Sequence, residues 1–192
     1  MQIKRLLLLI LVVVIVVAGG VGISGGVSGD KDEIAVRKVK EQVVLYTVYR
    51  GSYDKIGPAI GKLFALAGQK GLMPPRGPVS YVYLNNPQLV SSEHWLTEIR
   101  IPVSKDALGQ AGKLGKMTDV KKLPGMEVAV AVKPEGVADP AAIYEQLTMW
   151  IYKNKYTGVG APIEIFLTNA MSGDYTKMKS EIMFPVGKLL LK

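Results

Sequence analysis

Two seven-residue segments of this chain, 97–103 (TEIRIPV) and 180–186 (SEIMFPV), share four identical residues at an offset of 83. The same offset carries Tyr81, Val82, Tyr83 and Leu84 onto Glu164, Ile165, Phe166 and Leu167, and Asn86 onto Asn169. Such self-similarity marks an internal duplication, and a duplication limits what the chain can fold into. Two units of roughly 70 to 80 residues each cannot close a core alone, but paired they make one pseudo-twofold α+β domain.

The local signals repeat in the same order. Residues 43–49 (VVLYTVY) are β-branched and aromatic and read as a strand. After the break at Gly51, residues 54–69 place Ile56, Ile60, Leu63, Phe64 and Ala67 at helical spacing, with Gly71 as the stop. Residues 79–84 and 95–103 read as the next two strands. The second half follows with a strand at 126–132, a helix at 140–152 capped by Asp139 with Pro140 in its first turn, and strands at 163–167 and 179–186. The repeated unit is therefore strand-helix-strand-strand.

Ahead of this domain, residues 6–23 (LLLLILVVVIVVAGGVGI) carry no charge and follow Lys4 and Arg5. A helix of that length spans roughly 27 Å, close to a bilayer's hydrocarbon core. Residues 1–23 thus read as a signal anchor or transmembrane helix, residues 24–33 as a flexible Gly- and Ser-rich linker, and residues 34–192 as the folded domain. A cleaved signal peptide, with Ala18, Gly19 and Gly20 near the cleavage point, is the alternative and would make the protein secreted. The basic pair places the domain outside the cytoplasm in either case.

Composition removes several classes of chemistry. There is no cysteine and one histidine, so a disulfide framework, a thiolate nucleophile and a zinc ribbon are excluded, and neither a metal nor a cofactor is expected. The net charge of +8 falls to +6 without Lys4 and Arg5. Its positive residues are scattered; Lys105, Lys113, Lys116, Lys121 and Lys122 read as a solvated loop, and no nucleic-acid partner is expected.

The ordered motifs GSYDKI, YVYLNNP, TEIRIPV, LPGMEVAVAV, YEQLTMWI with KNKY, APIEIFL and SEIMFPV together resemble the GyrI-like small-molecule-binding family over about residues 36–187. That family includes the effector-binding domains of multidrug-sensing transcription activators. The resemblance implies a cupped antiparallel sheet, two helices on its convex side and a ligand cleft between the repeats. It also implies that Glu164 matches the central acid that serves as counter-charge for lipophilic cations. In family members that hydrolyse cyclopropane-bearing natural products, an acid in this region acts with a tyrosine and ordered water. No helix-turn-helix segment precedes the domain in this sequence, so a DNA-linked sensor is not expected.

Strand alternation sorts the side chains. Ile163, Ile165 and Leu167 share one face of their strand and are expected beneath the helices, with Glu164 and Phe166 on the other. The repeat offset adds Tyr81 and Tyr83 to that second face. In the strands at 95–103 and 179–186, Ile99, Ile101, Ile182 and Phe184 make the apolar face, leaving Glu98, Arg100, Glu181 and Met183 opposite. The expected ligand-binding set is Tyr81, Tyr83, Glu98, Trp150, Glu164, Phe166 and Met183, with Glu164 the candidate for any catalysis. Aromatic walls around a carboxylate suit an organic cation or a planar heterocycle. A purely structural Glu164, paired with Arg100 or a lysine, is the competing reading. Glu98 and Glu181 belong to the repeated motif and fit a shared structural job better than chemistry, and Trp150 fits a core position as well as a cleft.

Three functions fit these residues. The first is a membrane-tethered domain that binds an amphipathic or cationic small molecule; the second a hydrolase of strained electrophiles using Glu164 with Tyr81 or Tyr83. The third is a scaffold whose cleft is filled by side chains and whose surface binds another protein.

Overall fold

The computed structural model describes residues 34–168 and 174–189. In chain order these form β1 (Ala35–Val39), β2 (Gln42–Arg50), α1 (Gly57–Gln69), β3 (Ser80–Tyr83), β4 (Leu96–Val103), β5 (Thr118–Leu123), β6 (Met126–Lys133), α2 (Ala141–Lys153), β7 (Tyr156–Gly158), β8 (Ile163–Phe166) and β9 (Ser180–Lys188). The strands build a curled antiparallel sheet in the order β1-β6-β9-β8-β3-β4-β2-β5, with β7 paired to β9. The duplication is visible in that order. β2-α1-β3-β4 and β6-α2-β8-β9 are related across the β3–β8 junction, and β5 and β1 flank the two units.

The helices form for different local reasons. Pro58 sits in the first turn of α1, and Gly71, at φ 68°, ends it with Leu72 N–H donating to Ala67 O at 2.8 Å. α2 is opened by Asp139, whose Oδ1 accepts from Ala141 N–H at 3.0 Å. Helices of 13 residues are marginal alone in water. Burial holds α2: Tyr144, Leu147 and Ile151 go under, each contributing about 1.5–3 kcal/mol. The alternation of MEVAVAV lets the helix approach, because Ala129 and Ala131 present small side chains to it while Val128 and Val130 point to the other face.

Two regions differ from the sequence reading. The lysine-containing stretch expected as a loop is largely ordered: residues 105–110 make a 3-10 turn and Lys121 and Lys122 lie in β5, whose pairing with β2 runs from Gln42↔Leu123 to Thr47↔Thr118. The edge strands β1 and β7 are too short and too polar to stand out by alternation. The expected transmembrane helix lies outside the described residues, as does Asn169; among the described residues no helix is long and apolar enough to cross a membrane.

The faces also differ from expectation. Tyr81 lies opposite both Ile99 and Glu164, and Glu164 lies opposite Ile182, so all four share one face. That face is the one the helices cover: Tyr81, Tyr83, Ile99 and Phe166 pack in one cluster with Ile60 and Leu63 of α1, and Ile182 and Phe184 pack with α2. The helices therefore lie over Glu164 rather than behind it, and Ile163 and Ile165 point away from them with Val82 and Met183. Alternation predicts two faces within each strand; only the pairing register says which face of one strand continues into which face of its neighbour.

Candidate functional site

Glu164 sits in the middle of the sheet with no solvent exposure. Burying a carboxylate costs several kcal/mol unless hydrogen bonds replace its water. Three hydroxyls do so. Tyr83 Oη donates to Oε2 at 2.6 Å, while Tyr175 Oη and Ser180 Oγ donate to Oε1 at 2.7 and 2.5 Å. The strands supply two of them by register: Tyr83 and Ser180 are the diagonal neighbours, two residues beyond Tyr81 and before Ile182 on the same face. Tyr175 comes from a 3-10 turn at 175–177, held by Asp174, which accepts from Thr176 N–H at 3.1 Å.

A carboxylate offers about four acceptor directions. Oε1 is filled twice and Oε2 once, which leaves Oε2 able to accept one more donor. No ion pair reaches Glu164 among the described residues. Its expected structural partner, Arg100, is committed elsewhere.

The nearest buried cation is Lys133, at the end of β6 and paired across the ladder with Ser180. Its ammonium donates to the carbonyls of Met178 at 2.6 Å, Tyr175 at 3.1 Å and Val137 at 3.4 Å, and lies 4.2 Å from the Tyr175 ring centroid. Burial lowers its pKa, and the Glu164 charge raises it part of the way back. Tyr175 thus joins the two charges, with its hydroxyl on the acid and its ring and carbonyl on the lysine.

Aromatic side chains enclose the acid. Phe166 packs edge-on against Tyr81 at 4.5 Å and against Tyr175 at 6.4 Å. Tyr53 stacks on Trp95 at 4.5 Å and meets Tyr83 edge-on at 5.3 Å, and its buried hydroxyl has no hydrogen-bond partner. The strand-to-helix break positions Tyr53: Gly51 has φ 141°, and a Cβ there would stand 2.6 Å from Tyr49 Oη. The phenols of Tyr53, Tyr81, Tyr83, Tyr144 and Tyr175 are all pushed above their ordinary pKa, first by burial and then by the negative charge of Glu164. They stay protonated at neutral pH and act as donors or as apolar walls.

The expected ligand-binding set divides into three groups. Tyr81, Tyr83, Glu164 and Phe166 do come together. Glu98 and Met183 lie on the opposite face, against expectation, because the register carries them there with Val82 and Ile163. On that face Arg100 Nε donates to Glu98 at 2.6 Å and Lys121 Nζ lies 2.7 Å from the same carboxylate, while Arg37 pairs with Glu181. Trp150 is half-buried on α2 and stacks on Tyr156 at 6.3 Å, with no contact to the acid. Lys133, Tyr53, Tyr144, Tyr175 and Ser180 are not among the residues expected from the sequence. For Tyr144 a signal was present: it shares one helical stripe with Leu147 and Ile151.

The repeats differ where it matters chemically. Ser180 corresponds to Thr97, and both are buried. The second repeat has Glu164 to receive the Ser180 hydroxyl, whereas the first has Tyr81 in the acid's place and the Thr97 hydroxyl has no partner.

This architecture is shared with solved structures. The EcmrR C-terminal domain superposes with a TM-score of 0.60 at 17% identity, covering 82% of this chain and 99% of that one. A hydrolase from Listeria innocua gives a TM-score of 0.62 at 13% identity, covering 82% and 93%. An uncharacterized conserved protein from Listeria innocua gives 0.62 at 14% identity over the same shares. At these identities the likeness is one of fold. No curated protein matches the chain. Residues 12–104, which include the first repeat through β4, match the model of the GyrI-like small molecule binding domain family.

Proposed function

We propose that this domain binds an amphipathic small molecule carrying a cationic or planar heterocyclic group, with Glu164 as the counter-charge. One observation carries the reading: a fully buried carboxylate, walled by aromatic rings, has an unfilled acceptor direction on Oε2 and no cation in contact with it. A positively charged or N–H-bearing ligand supplies what that oxygen lacks, and tyrosine faces favour organic cations by cation–π attraction. Entry requires displacement of a covering side chain, and Tyr175 is suited to this because it is half-buried and borne on a short turn. The charge-free run at 6–23 supports the further reading that the domain is tethered to a membrane through its N-terminal segment, on the non-cytoplasmic side.

Hydrolysis is a weaker reading. It needs Glu164 free to take a proton from water, and three of its four acceptor directions already hold hydroxyls.

The test is a thermal-shift screen of the purified full chain against lipophilic organic cations and planar heterocycles, repeated on Glu164→Gln. A ligand-dependent rise in melting temperature that disappears in the variant is the expected result. Absence of any shift from the whole panel would overturn the binding reading and favour a scaffold with a filled cleft. Turnover of a cyclopropane-bearing compound, lost in the variant, would make the domain a hydrolase.

A further inference from the structure

The binding reading gives Lys133 no task, yet the fold keeps its ammonium in the interior. The residue has no solvent exposure, and an ion without water must find its partners in the protein. An ammonium has three N–H donors, and here they meet three backbone carbonyls, those of Val137, Tyr175 and Met178. A neutral amine would turn a lone pair toward one of those oxygens, so the cage holds the protonated form. Every donor is spent on the backbone, which leaves none for a ligand.

Two bridges set this charge beside that of Glu164. Ser180 lies directly opposite Lys133 in the β6–β9 ladder and gives its hydroxyl to Glu164 Oε1 at 2.5 Å. Tyr175 gives its hydroxyl to the same oxygen at 2.7 Å, and the centroid of its ring stands 4.2 Å from the ammonium. The other carboxylate that acts on Lys133, Glu135, is exposed, where water and salt screen it. Glu164 and Lys133 thus balance one another without touching, and Tyr175 links them.

This balance bears on the ligand. The open acceptor direction on Glu164 Oε2 calls for a donor, and an uncharged heterocycle and an organic cation can each offer an N–H. The cation brings a second positive charge to a pair already neutral in sum, in an interior where like charges repel more strongly than in water. Entry past Tyr175 widens the difference. When that ring moves aside, Lys133 loses the aromatic face beside it, and a neutral planar ring supplies another. A positively charged ring does not, because the attraction depends on a negative π-face.

We infer that Lys133 sets the charge of the ligand: the site takes an uncharged, N–H-bearing planar heterocycle in preference to a cation of the same shape. This inference rests on the binding reading of Glu164 and narrows its ligand to one of the two groups named there. The probes are acridone, which is uncharged and has a ring N–H, and 9-aminoacridine, which shares its fused-ring frame and is protonated at neutral pH. Their affinities for the full chain are measured by isothermal titration at neutral pH, with the natural sequence, Lys133→Gln and Lys133→Arg. Glutamine removes the charge but keeps donors for the carbonyls, and arginine keeps the charge. Circular dichroism establishes that each variant is folded.

The expected result is that the natural chain binds acridone roughly tenfold more tightly than 9-aminoacridine. Lys133→Gln should erase or reverse that preference, and Lys133→Arg should retain it. A merely structural lysine would weaken both probes alike, so an unchanged ratio in folded Lys133→Gln overturns the inference. Tighter binding of 9-aminoacridine by the natural chain also overturns it while sparing Glu164 as the anchor, and that comparison needs no variant to fold. Binding of neither probe overturns the inference as well; a thermal-shift panel that is silent throughout removes the binding reading itself.

Discussion

Tyr81 and Glu164 are directly paired across the β3–β8 ladder and are also equivalent positions of the two repeats. Neighbouring pairs obey the same symmetry: Ser80 lies opposite Ile165, and their repeat equivalents Ile163 and Val82 lie opposite each other. The pseudo-twofold axis therefore passes between a tyrosine and a glutamate. A symmetric pair of acids at that point would place two like charges face to face in the core; a single acid beside a phenol avoids the repulsion. The buried acid thus sits where the duplication departs from symmetry in chemistry while keeping it in space.

Removing the hydroxyls around the acid should lower stability, in proportion to what each leaves behind. Tyr83→Phe strips Oε2 of its only donor, so a loss of about 1.5–3 kcal/mol is expected, as for hydrogen bonds to charged groups. Ser180→Ala leaves Oε1 with Tyr175 and should cost less. Urea titration of both single variants and the double variant measures this, and the two effects should not add, because the hydroxyls share one carboxylate.

Alkaline pH should unfold the domain. Tyr81, Tyr83 and Tyr144 have pKa values raised in the folded state. Their stabilising contribution is complete below the unfolded tyrosine value of about 10 and declines as pH climbs above it, since the unfolded chain then releases protons that the native chain keeps. Each tyrosine adds about 1.4 kcal/mol of loss per pH unit in that range. Urea midpoints measured between neutral pH and the alkaline limit should fall steeply above about pH 10, and Tyr144→Phe should make the fall shallower.

Lys133 has the opposite sign. Its folded pKa is lowered, so the unfolded chain binds the extra proton below the unfolded lysine value, and stability should rise with pH through the window that ends near about 10.4. Lys133→Met should abolish that rise. It should also destabilise the protein by about 2 kcal/mol or more at neutral pH, because the carbonyls of Met178 and Tyr175 lose their donor in the interior.

The reverse face offers a control for the site. Glu98→Ala leaves the Arg100 guanidinium, only 12% exposed, without its carboxylate, and a loss of about 3 kcal/mol is expected. Ligand affinity measured in the Proposed-function screen should nonetheless be unchanged, since Glu98 and Glu164 are on opposite sides of the sheet. A matching loss of affinity in the still-folded variant would mean that the two faces communicate.

The sequence by itself determined the strand-helix-strand-strand repeat, the placement of both helices within a few residues, the singling out of Glu164 and its company of Tyr81, Tyr83 and Phe166. The elements and the grouping of these side chains follow from periodicity within a segment or from a fixed offset between segments, and the choice of Glu164 among them from the family resemblance. What lies between segments was decided by tertiary structure. Alternation separated Ile182 from Met183 correctly but could not tell which of them continues the face of Glu164; the register Glu164↔Ile182 did, and it moved Glu98 and Met183 to the far side. Tyr175 reaches the acid, and Lys133 reaches Tyr175, from a turn and a strand end that no period marks. They are brought there by the need of a buried carboxylate and a buried ammonium to find partners once water is gone.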